Sequence, residues 1–243
     1  MSKITVVGIG PGGLEDMTLR AIKAIEDSDI VIGYRTYIEL IRANFPGKPI
    51  IPSAMTHEIE RCELALATAL EGRKVALISG GDSGIYGMAG IMLEVVQRSG
   101  KAVAVEVVPG ITAASAAAAV LGAPLMHDFA VISLSDRLTP LDTIYQRVES
   151  AARSDFVICL YNPKSQGRSG YIETARDIIL QYRSVATPVG IVRDAGRENQ
   201  EFQVATLETM LDFLIDMSTV VIIGNSGTYI ADGRMITPRG YKL

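Results

Sequence analysis

The residues best placed for chemistry lie in the segment SGGDSGIYGM, which runs from Ser79 to Met88. Four of its residues are glycines, although a glycine loses more backbone entropy on folding than any other residue does. This cost is expected where the main chain turns sharply or lies against a ligand. The segment follows the apolar run 75–78 and precedes a helical pattern. It therefore predicts a loop at the carboxyl end of a strand, where open α/β sheets bind small molecules.

A single charged side chain, Asp82, lies within this loop. Its carboxylate is expected to accept hydrogen bonds from the hydroxyl or ammonium groups of a ligand. The alternative is that Asp82 is a helix N-cap and accepts only from main-chain N–H groups. In that case the glycines form a flexible connector between a strand and a helix.

A second glycine-rich turn, GIGPGG (8–13), follows the apolar run 4–7. Its spacing satisfies GxGxxG, the fingerprint of dinucleotide-binding sites. Two features oppose that interpretation. Pro11 removes an N–H group that would bind a pyrophosphate, and residues 33–35 read Gly-Tyr-Arg where a ribose-binding acid is expected. Binding of NAD, a tight turn without a ligand, and a site for another ligand all remain open.

Segments further along the chain contain polar residues that are candidates for ligand binding. The segment PGITAASAA (109–117) either lets two helices pack closely or leaves room for a cofactor beside the main chain. The segment YNPKSQGRSG (161–170) is either a solvated loop or an anion clamp, with Lys164 as a point charge and Arg168 as a planar fork. The polar segments SLSDR (133–137) and VRDAGR (192–197) leave neighbouring strands and could supply further groups.

The composition is that of a globular protein, with 48% hydrophobic and 21% charged residues and a net charge of −4. This charge gives no general attraction to nucleic acid or acidic lipid.

Cys62 and Cys159 lie in apolar patterns typical of buried thiols. The two histidines, His57 and His127, lack metal-site spacing, so we expect no metal held by the protein. No apolar run approaches the ~20 residues of a spanning helix, and the N-terminal run is too short for a signal peptide, so a cytoplasmic location is expected.

The alternation of strand and helix patterns predicts an α/β fold with two domains, 1–122 and 123–243. In the first domain, nearly continuous apolar strands predict a largely parallel sheet covered by helices on both faces. In the second domain, the short loop 193–199 predicts a hairpin, and hence a mixed sheet. Longer helices are expected at about 16–27, 58–71, 141–152, 171–182 and 206–215.

Together, five segments resemble the tetrapyrrole methylase family, the S-adenosylmethionine-dependent enzymes of the sirohaem and cobalamin pathways. They are VGIGPGG (7–13), SGGDSGIYGM (79–88), VVPGITAASAAAAVLGAPL (107–125), LYNPKSQGR (160–168) and IVRDAGRENQ (191–200). Within the family, GGDSGIYGM and YNPKSQGR are similar to the precorrin-3B or cobalt-precorrin-3 C17-methyltransferases, which methylate C17 while contracting the macrocycle. The chain departs from many family members at Ser83, where they have proline, and at Asn162, where they often have methionine. Both departures make the pocket more polar.

The resemblance implies that S-adenosylmethionine lies folded in the cleft between two α/β domains of a subunit that forms a homodimer. In this family the first glycine loop contacts cofactor or substrate, which assigns Gly10 to the substrate. Carried over position by position, the implied cofactor contacts are Pro11, Gly80, Gly81, Asp82, Ile85, Thr112, Ala113, Tyr161, Asn162 and Gly196.

The implied substrate is a tetrapyrrole that carries several carboxylates, so an acidic chain needs local cations to bind it. The candidate substrate residues are Arg35, His57, Ser135, Lys164, Arg168 and Arg193. Ring contraction also requires proton transfers, for which the candidates are Asp82, Ser83, Tyr86 and His57. Any cobalt would arrive inside the substrate.

Three rival functions remain open at this stage. One is a methylase of the same fold that acts on another tetrapyrrole carbon, on RNA or on a protein side chain. The others are an NAD-dependent oxidoreductase, based on GxGxxG alone, and a non-catalytic ligand sensor. The acidic balance makes RNA the weaker acceptor, because the chain lacks a basic stripe with interleaved aromatic residues.

Overall fold

The computed structural model describes residues 3–164 and 170–242 of the chain. It divides into two compact units, Met1–Ala113 and Ala114–Leu243. The division lies at the start of the alanine-rich helix, whereas the sequence places the domain boundary after residue 122, at the end of that helix. The helix packs within the second unit, because its Leu121 side chain fills the space beside Gly190.

The first unit is built on a five-stranded sheet. Every strand in it is parallel to its neighbours, in the order β3-β2-β4-β1-β5, which confirms the parallel sheet expected from the apolar strands. The carboxyl ends of all five strands therefore lie at one edge. The elements are β1 (Lys3–Gly8), α1 (Leu19–Glu26), β2 (Ile30–Tyr34), α2 (Arg35–Ile41), β3 (Ile50–Ser53), α3 (Glu58–Leu70), β4 (Lys74–Ser79), α4 (Ala89–Ser99) and β5 (Ala104–Val108).

Helices cover both faces of this sheet, as predicted. Val6 and Leu77 lie on one face and pack with buried residues of α3 and α4. Val7 and Ile78 lie on the other face and pack with buried residues of α1 and α2. Because successive side chains of a strand point to opposite faces, both faces of the sheet are buried and the strands read as continuous apolar runs.

The first helix begins later than the sequence pattern suggested. A short 3-10 turn occupies Leu14–Asp16, and α1 starts at Leu19 after Thr18, whose side chain accepts a hydrogen bond from the Ala21 amide. This N-cap satisfies an N–H group that the first helical turn leaves without a partner. The glycine-rich turn at 8–13 therefore does not open directly onto a helix.

The second unit contains a mixed sheet in the order β10-β9-β11-β8-β7, with β7 and β8 parallel and β11 antiparallel to both β8 and β9. The predicted hairpin is confirmed, since β9 and β10 pair antiparallel. The elements are α5 (Ala113–Leu121), β6 (Gly122–Ala123), β7 (Phe129–Ser133), α6 (Leu141–Arg153), β8 (Val157–Tyr161), α7 (Tyr171–Ile179), β9 (Pro188–Arg193), β10 (Glu201–Thr206), β11 (Thr219–Ile223), β12 (Tyr229–Ala231) and β13 (Arg234–Ile236).

The predicted helix at 206–215 is wrong. The chain forms a turn there, followed by a 3-10 helix of three residues, Met210–Asp212. The Thr209 hydroxyl accepts a hydrogen bond from the Thr206 amide, and such local side-chain bonds compete with helix formation. The apolar spacing that resembled a helical stripe reflects Leu207 and Met210, which are buried in the core of the unit.

A small third sheet, β12-β13-β6, was not anticipated from the sequence. Its strands have two or three residues, too few to show an alternating pattern.

The cysteines match their expected environment, because both are buried free thiols, and burial raises the pKa of each to about 12. Among the described residues, no helix combines the length and apolar character required to cross a membrane.

A buried arginine lies beside the start of β8. Arg183 forms an ion pair with Asp155 and donates to the carbonyl oxygen of Phe156. Asp155 also accepts from the amide and the hydroxyl of Ser226, at 3.0 and 2.6 Å. Desolvation raises the pKa of Asp155, but the Ser226 hydrogen bonds and the Arg183 charge outweigh it, so the pKa lies below its usual value.

This arrangement predicts an acid-sensitive contribution to stability. A carboxylate with a depressed folded pKa stabilises fully above its unfolded pKa of about 3.9, and the contribution disappears as the pH falls through the folded pKa. We expect Asp155→Asn to lower the free energy of unfolding at pH 7 by about 1–2 kcal/mol, after discounting for the half-exposed carboxylate. Urea unfolding should show this difference shrinking at pH 3, whereas the exposed control Asp128→Asn should show little difference at either pH. An undiminished difference at pH 3 would contradict the assignment.

Candidate active site

Three loops meet at the carboxyl ends of β4, β1 and β5, which are adjacent strands in the first unit. The loops after β1 and β4 pair through their main chains. The Gly10 amide donates to the Gly81 carbonyl oxygen at 3.0 Å, and the Gly81 amide donates to the Gly10 carbonyl oxygen at 2.8 Å. Both glycines have positive φ, +72° and +64°, which side-chain-bearing residues rarely adopt. Glycine is therefore required at both positions.

The loop after β5 completes the junction by close backbone contact. A Cβ atom built on Gly8 would lie 2.6 Å from the Gly110 nitrogen and 2.8 Å from the Gly81 oxygen. A Cβ on Gly110 would lie 2.7 Å from the Gly8 oxygen and closer still to the Gly81 oxygen. We call Gly8, Gly81 and Gly110 the glycine junction. At Gly8 and Gly110 the loops pack too closely for a side chain, whereas at Gly81 the positive φ requires glycine.

Asp82 joins two of these loops. One carboxylate oxygen, Oδ1, accepts from the amides of Gly84 and Ile85 at 2.8 and 3.1 Å, and Oδ2 accepts from the Gly110 amide at 3.0 Å. The N-cap residue of α4 is Met88, so Asp82 caps the turn of its own loop and not the helix. This geometry gives Asp82 an organising role in the glycine junction.

Ser83 is completely buried, and its hydroxyl donates to the Val108 carbonyl oxygen at 3.0 Å. Its own carbonyl oxygen accepts from the Ala89 amide. The side chain therefore links the loop after β4 to the end of β5 and has no exposed surface for contact with a substrate. A role of Ser83 in proton transfer, as the sequence suggested, would require this side chain to leave its buried position.

Tyr86 differs from Ser83 in its exposure and in its backbone conformation. Its side chain is 59% exposed, and its φ of +53° is a strained conformation for an aromatic residue. Such strain persists only where the surrounding structure enforces it, and it is concentrated at functional sites. Ile85 beside it is also exposed. Of the three proton-transfer candidates in this loop, Asp82, Ser83 and Tyr86, Tyr86 has the most exposed side chain.

The hydrogen bonds of the first glycine loop oppose binding of a dinucleotide. A pyrophosphate cradle needs several main-chain N–H groups that point toward the ligand. Here the Ile9 amide donates to Ser79, the Gly10 amide donates to Gly81, and Pro11 has no N–H group. Asp82 accepts from the nearby amide of Gly110. An anionic group would therefore meet few available donors and a carboxylate.

The remaining predicted residues of the first unit lie on the same sheet edge. Gly10 and Pro11 are buried, while Thr112 and Ala113 are half-buried after β5. Gly80 faces the ring of Tyr37, since a Cβ there would lie 2.5 Å from the Tyr37 Cζ atom. The sequence pattern missed Tyr37, although a glycine next to a strand end signals a close neighbour.

Arg35 and His57 follow β2 and β3, at the other end of the same edge. Both side chains are exposed. His57 lies 3.7 Å from a carboxylate oxygen of Glu60, an ion pair only when the imidazole is protonated. The strand order thus brings these two predicted substrate residues to neighbouring strands.

In the second unit, the loops after the parallel strands β7 and β8 are hydrogen-bonded. The Asn162 side chain donates to the Ser133 hydroxyl at 2.9 Å, and the same hydroxyl accepts from the Ser135 amide at 3.2 Å. Asn162 has a φ of +51°, a strained position that asparagine tolerates better than most residues. The structure thus brings together the predicted residues Asn162 and Ser135.

Tyr161 caps the helix α5. Its hydroxyl oxygen accepts from the Ala114 amide at 2.6 Å, one of the N–H groups that the first helical turn leaves free. We expect Tyr161→Phe to lower the free energy of unfolding by about 1 kcal/mol, the usual effect of one lost hydrogen bond. Urea unfolding measures this change in the free energy of unfolding. The matched control is Tyr182→Phe, whose exposed hydroxyl donates to Glu149. Equal losses in the two variants would contradict the capping role.

Two of the predicted substrate-binding cations form ion pairs with carboxylates. Lys164 lies 3.5 Å from Glu173, and Arg193 forms an ion pair of 2.7 Å with Glu201, its cross-strand neighbour in the hairpin. Arg168 lies outside the described residues. The Gly196 amide donates to the Gln200 side chain at 2.8 Å, which holds the loop after β9 in a closed turn. Lys164 and Arg193 are therefore not the free cations that the sequence suggested.

Across the described ranges, no cluster of three or more His, Cys, Asp or Glu side chains is arranged to hold a metal ion.

The chain matches a family model described as Tetrapyrrole (Corrin/Porphyrin) Methylases over residues 3–211. The chain belongs to this family. One relative, the "Probable cobalt-factor III C(17)-methyltransferase" of Salmonella typhimurium, is 50% identical over 240 residues, which cover 99% of this chain and 100% of that protein. The "Cobalt-factor III methyltransferase" of Priestia megaterium is 48% identical over 99% of this chain but over only 45% of its own length.

Among solved structures, the methyltransferase CobJ has a TM-score of 0.92 and 32% sequence identity to this tetrapyrrole methylase. The match covers 98% of this chain and 100% of that chain. It confirms the α/β fold with a parallel first sheet and a mixed second sheet.

Proposed function

We propose that this tetrapyrrole methylase transfers a methyl group from S-adenosylmethionine to C17 of a cobalamin-pathway tetrapyrrole, cobalt-factor III, with contraction of the ring. The observation that carries the proposal is the 50% identity to a relative of that name along the entire length of both chains. The homodimer, which the family resemblance implies, and the cytoplasmic location, which the sequence pattern suggests, belong to the same proposal.

The glycine junction fits a cofactor with a positively charged sulfur better than an anionic one. The main-chain amides of Gly84, Ile85 and Gly110 already donate to Asp82. The half-buried carboxylate of Asp82 leaves a negative charge at the loop. Small residues follow the junction, and only main-chain atoms, at 3.7 Å or more, surround a Cβ built on Gly81. We propose that Gly80, Gly81, Thr112 and Ala113 hold the cofactor through main-chain contacts.

When bound, S-adenosylmethionine supplies an electrophilic methyl group on a sulfonium, so the reaction needs no nucleophile from the protein. The protein must orient the two reactants and exclude water. Orientation contributes up to about 7–11 kcal/mol to lowering a barrier, provided that the loops are rigid. Asp82 and Ser83 supply this rigidity by connecting the loops after β4 and β5.

Ring contraction requires a group that moves protons at the substrate. Tyr86 is our proposal for this role, because its side chain is exposed at the same loop while Ser83 is buried. The carboxylates of the substrate need cations, and Arg35 and His57 lie at the neighbouring ends of β2 and β3. We propose that these two residues bind carboxylates of the substrate, since Lys164 and Arg193 are ion-paired. A substrate role for Arg168 stays a prediction from the sequence.

The proposal is tested by incubating the purified protein with cobalt-factor III and S-adenosylmethionine that carries a ¹³C-labelled methyl group. The expected result is S-adenosylhomocysteine and a product labelled at C17, detected by mass spectrometry and NMR. A product labelled at another carbon would assign the chain to a different step, and turnover only with a metal-free precorrin would exclude the cobalt substrate. Calorimetry that showed binding of NADH but not of S-adenosylmethionine would overturn the proposal.

A further inference from the structure

A buried arginine without a carboxylate partner lies beneath the same sheet edge. Arg61, in the first turns of α3, is 4% exposed. Its guanidinium donates to the Ser53 hydroxyl, to the Ala54 carbonyl oxygen at 2.8 Å and to the Met88 sulfur at 3.3 Å. It also lies 6.0 Å from the centre of the Tyr34 ring. All four groups are neutral.

Burial of the Arg61 guanidinium lowers the stability of the folded state. Burying a charge without a partner of opposite charge is strongly unfavourable, so buried arginines are usually paired with carboxylates. Within residues 3–164 and 170–242, no carboxylate forms an ion pair with Arg61, and Glu58 acts on it only through space. Burial lowers the pKa of Arg61, opposed by Glu58, yet a guanidinium keeps its proton. A positive charge without an ion-pair partner among the described residues therefore remains inside the unit.

The position of this charge relates it to the candidate active site. Its hydrogen-bond partner Ser53 ends β3 and Ala54 follows it. Tyr34 ends β2, and Met88 closes the glycine-rich loop after β4. These three strands are neighbours in the order β3-β2-β4, and the glycine junction lies at the adjoining ends of β4, β1 and β5. The guanidinium thus contacts residues at the ends of β2 and β3, the strands that Arg35 and His57 follow.

We propose that Arg61 supplies the positive charge beneath a subsite, at the carboxyl ends of β2, β3 and β4, that binds one side-chain carboxylate of the substrate. The three hydrogen bonds hold the guanidinium in its buried position, from which it acts on the carboxylate through its charge. An approaching carboxylate supplies the charge that the fold itself omits. The inference rests on the proposed function, because a tetrapyrrole with acetate and propionate groups is the ligand with the required charge.

The first test removes or retains the charge. Titrations followed by absorbance would measure the affinity of Arg61→Met and Arg61→Lys for cobalt-factor III, with Arg98→Met as an exposed control. We expect a loss of at least tenfold in Arg61→Met, a loss below threefold in Arg61→Lys and none in the control. The affinity for S-adenosylmethionine should change less than twofold in all three. Equal weakening of both ligands, or undiminished tetrapyrrole binding by Arg61→Met, would overturn the proposal.

A second pair of variants keeps Arg61 and therefore does not depend on the folding of Arg61→Met. Ser53→Asp places a carboxylate beside the guanidinium and neutralises it, whereas Ser53→Asn is a neutral side chain of the same size. We expect Ser53→Asp to bind cobalt-factor III at least tenfold more weakly than Ser53→Asn, with equal binding of S-adenosylmethionine. Equal tetrapyrrole affinities would reject the subsite. If the unmodified protein binds no tetrapyrrole, the proposed function itself fails, a result distinct from failure of the subsite.

Discussion

Replacement of Gly110 by alanine is expected to reduce methyl transfer at least 100-fold and to weaken binding of S-adenosylmethionine by a similar factor. The added Cβ atom would lie 2.7 Å from both the carbonyl carbon and the oxygen of Gly8 and would overlap the oxygen of Gly81. These atoms belong to the main chain, so no side chain can rotate to make room. The loops must move apart, and a displacement of about 1 Å in a catalytic site can lower the rate 100-fold. Steric overlap of this kind also destabilises a protein by about 1–3 kcal/mol.

The matched control is Gly90→Ala, in the first turn of α4. No heavy atom lies within 4 Å of a Cβ at this position. Alanine is favoured over glycine in a helix by about 0.5–1 kcal/mol, so this variant should be slightly more stable and fully active. Activity assays, calorimetry with S-adenosylmethionine and thermal unfolding would be measured on both proteins. Native cofactor affinity in Gly110→Ala would show that the glycine junction does not shape the cofactor site.

The convergence of the loops could be predicted from the sequence because it depends on strand direction. Apolar runs followed by glycine loops indicate parallel strands, and the carboxyl ends of parallel strands share one edge. What the sequence could not supply was the strand order. The order β3-β2-β4-β1-β5 separates the edge into a part with glycines and a part with cations. This order results from packing between distant segments, which local patterns do not encode.

The face that α3 buries differs from the face that its apolar periodicity indicates. In α3 the apolar residues Ile59 and Leu70 are exposed, while Arg61 and Thr68 are buried with Cys62. Apolar periodicity assigns the charged residue to solvent, since arginine is rarely buried. The hydroxyl of Ser53 and the carbonyl oxygen of Ala54, which accept from the guanidinium, are recognisable only from coordinates. The unusual position of Arg61 therefore carried no signal in the sequence.

The ion pair of Arg193 could have been anticipated. The hairpin was predicted, and its register places Glu201 directly opposite Arg193. Opposite charges at facing positions of an antiparallel pair attract each other, and the Glu201 hydrogen bond raises the pKa of Arg193. Interpreting Arg193 by itself led to a substrate-binding cation, whereas interpreting the pair predicts a structural contact. Lys164 and Glu173 are nine positions apart in the sequence, and their proximity needed the structure.

Substitution of Asp82 distinguishes an organising role from a role in proton transfer. Asp82→Ala removes the acceptors of three main-chain amides, and hydrogen bonds to a charged group contribute about 1.5–3 kcal/mol each. We expect kcat/KM for methyl transfer to fall at least 100-fold and cofactor affinity to fall with it. Asp82→Asn can still accept from Gly84 and Ile85, but its amide group would face the Gly110 N–H, where two donors repel. Its loss should therefore be smaller but still about tenfold.

The pH dependence of the residual activity decides between the two roles. If Asp82 only organises the loops, both variants should retain the shape of the wild-type profile of kcat against pH at a lower level, because the group that transfers the proton is still present. If Asp82 is the general acid or base, the limb of the profile that it controls should vanish in both variants. Tyr86→Phe supplies the complementary measurement, since its hydroxyl is our proposed proton-transfer group. A profile that loses a limb in Asp82→Asn and is unchanged in Tyr86→Phe would exchange the roles that we assign to these two residues.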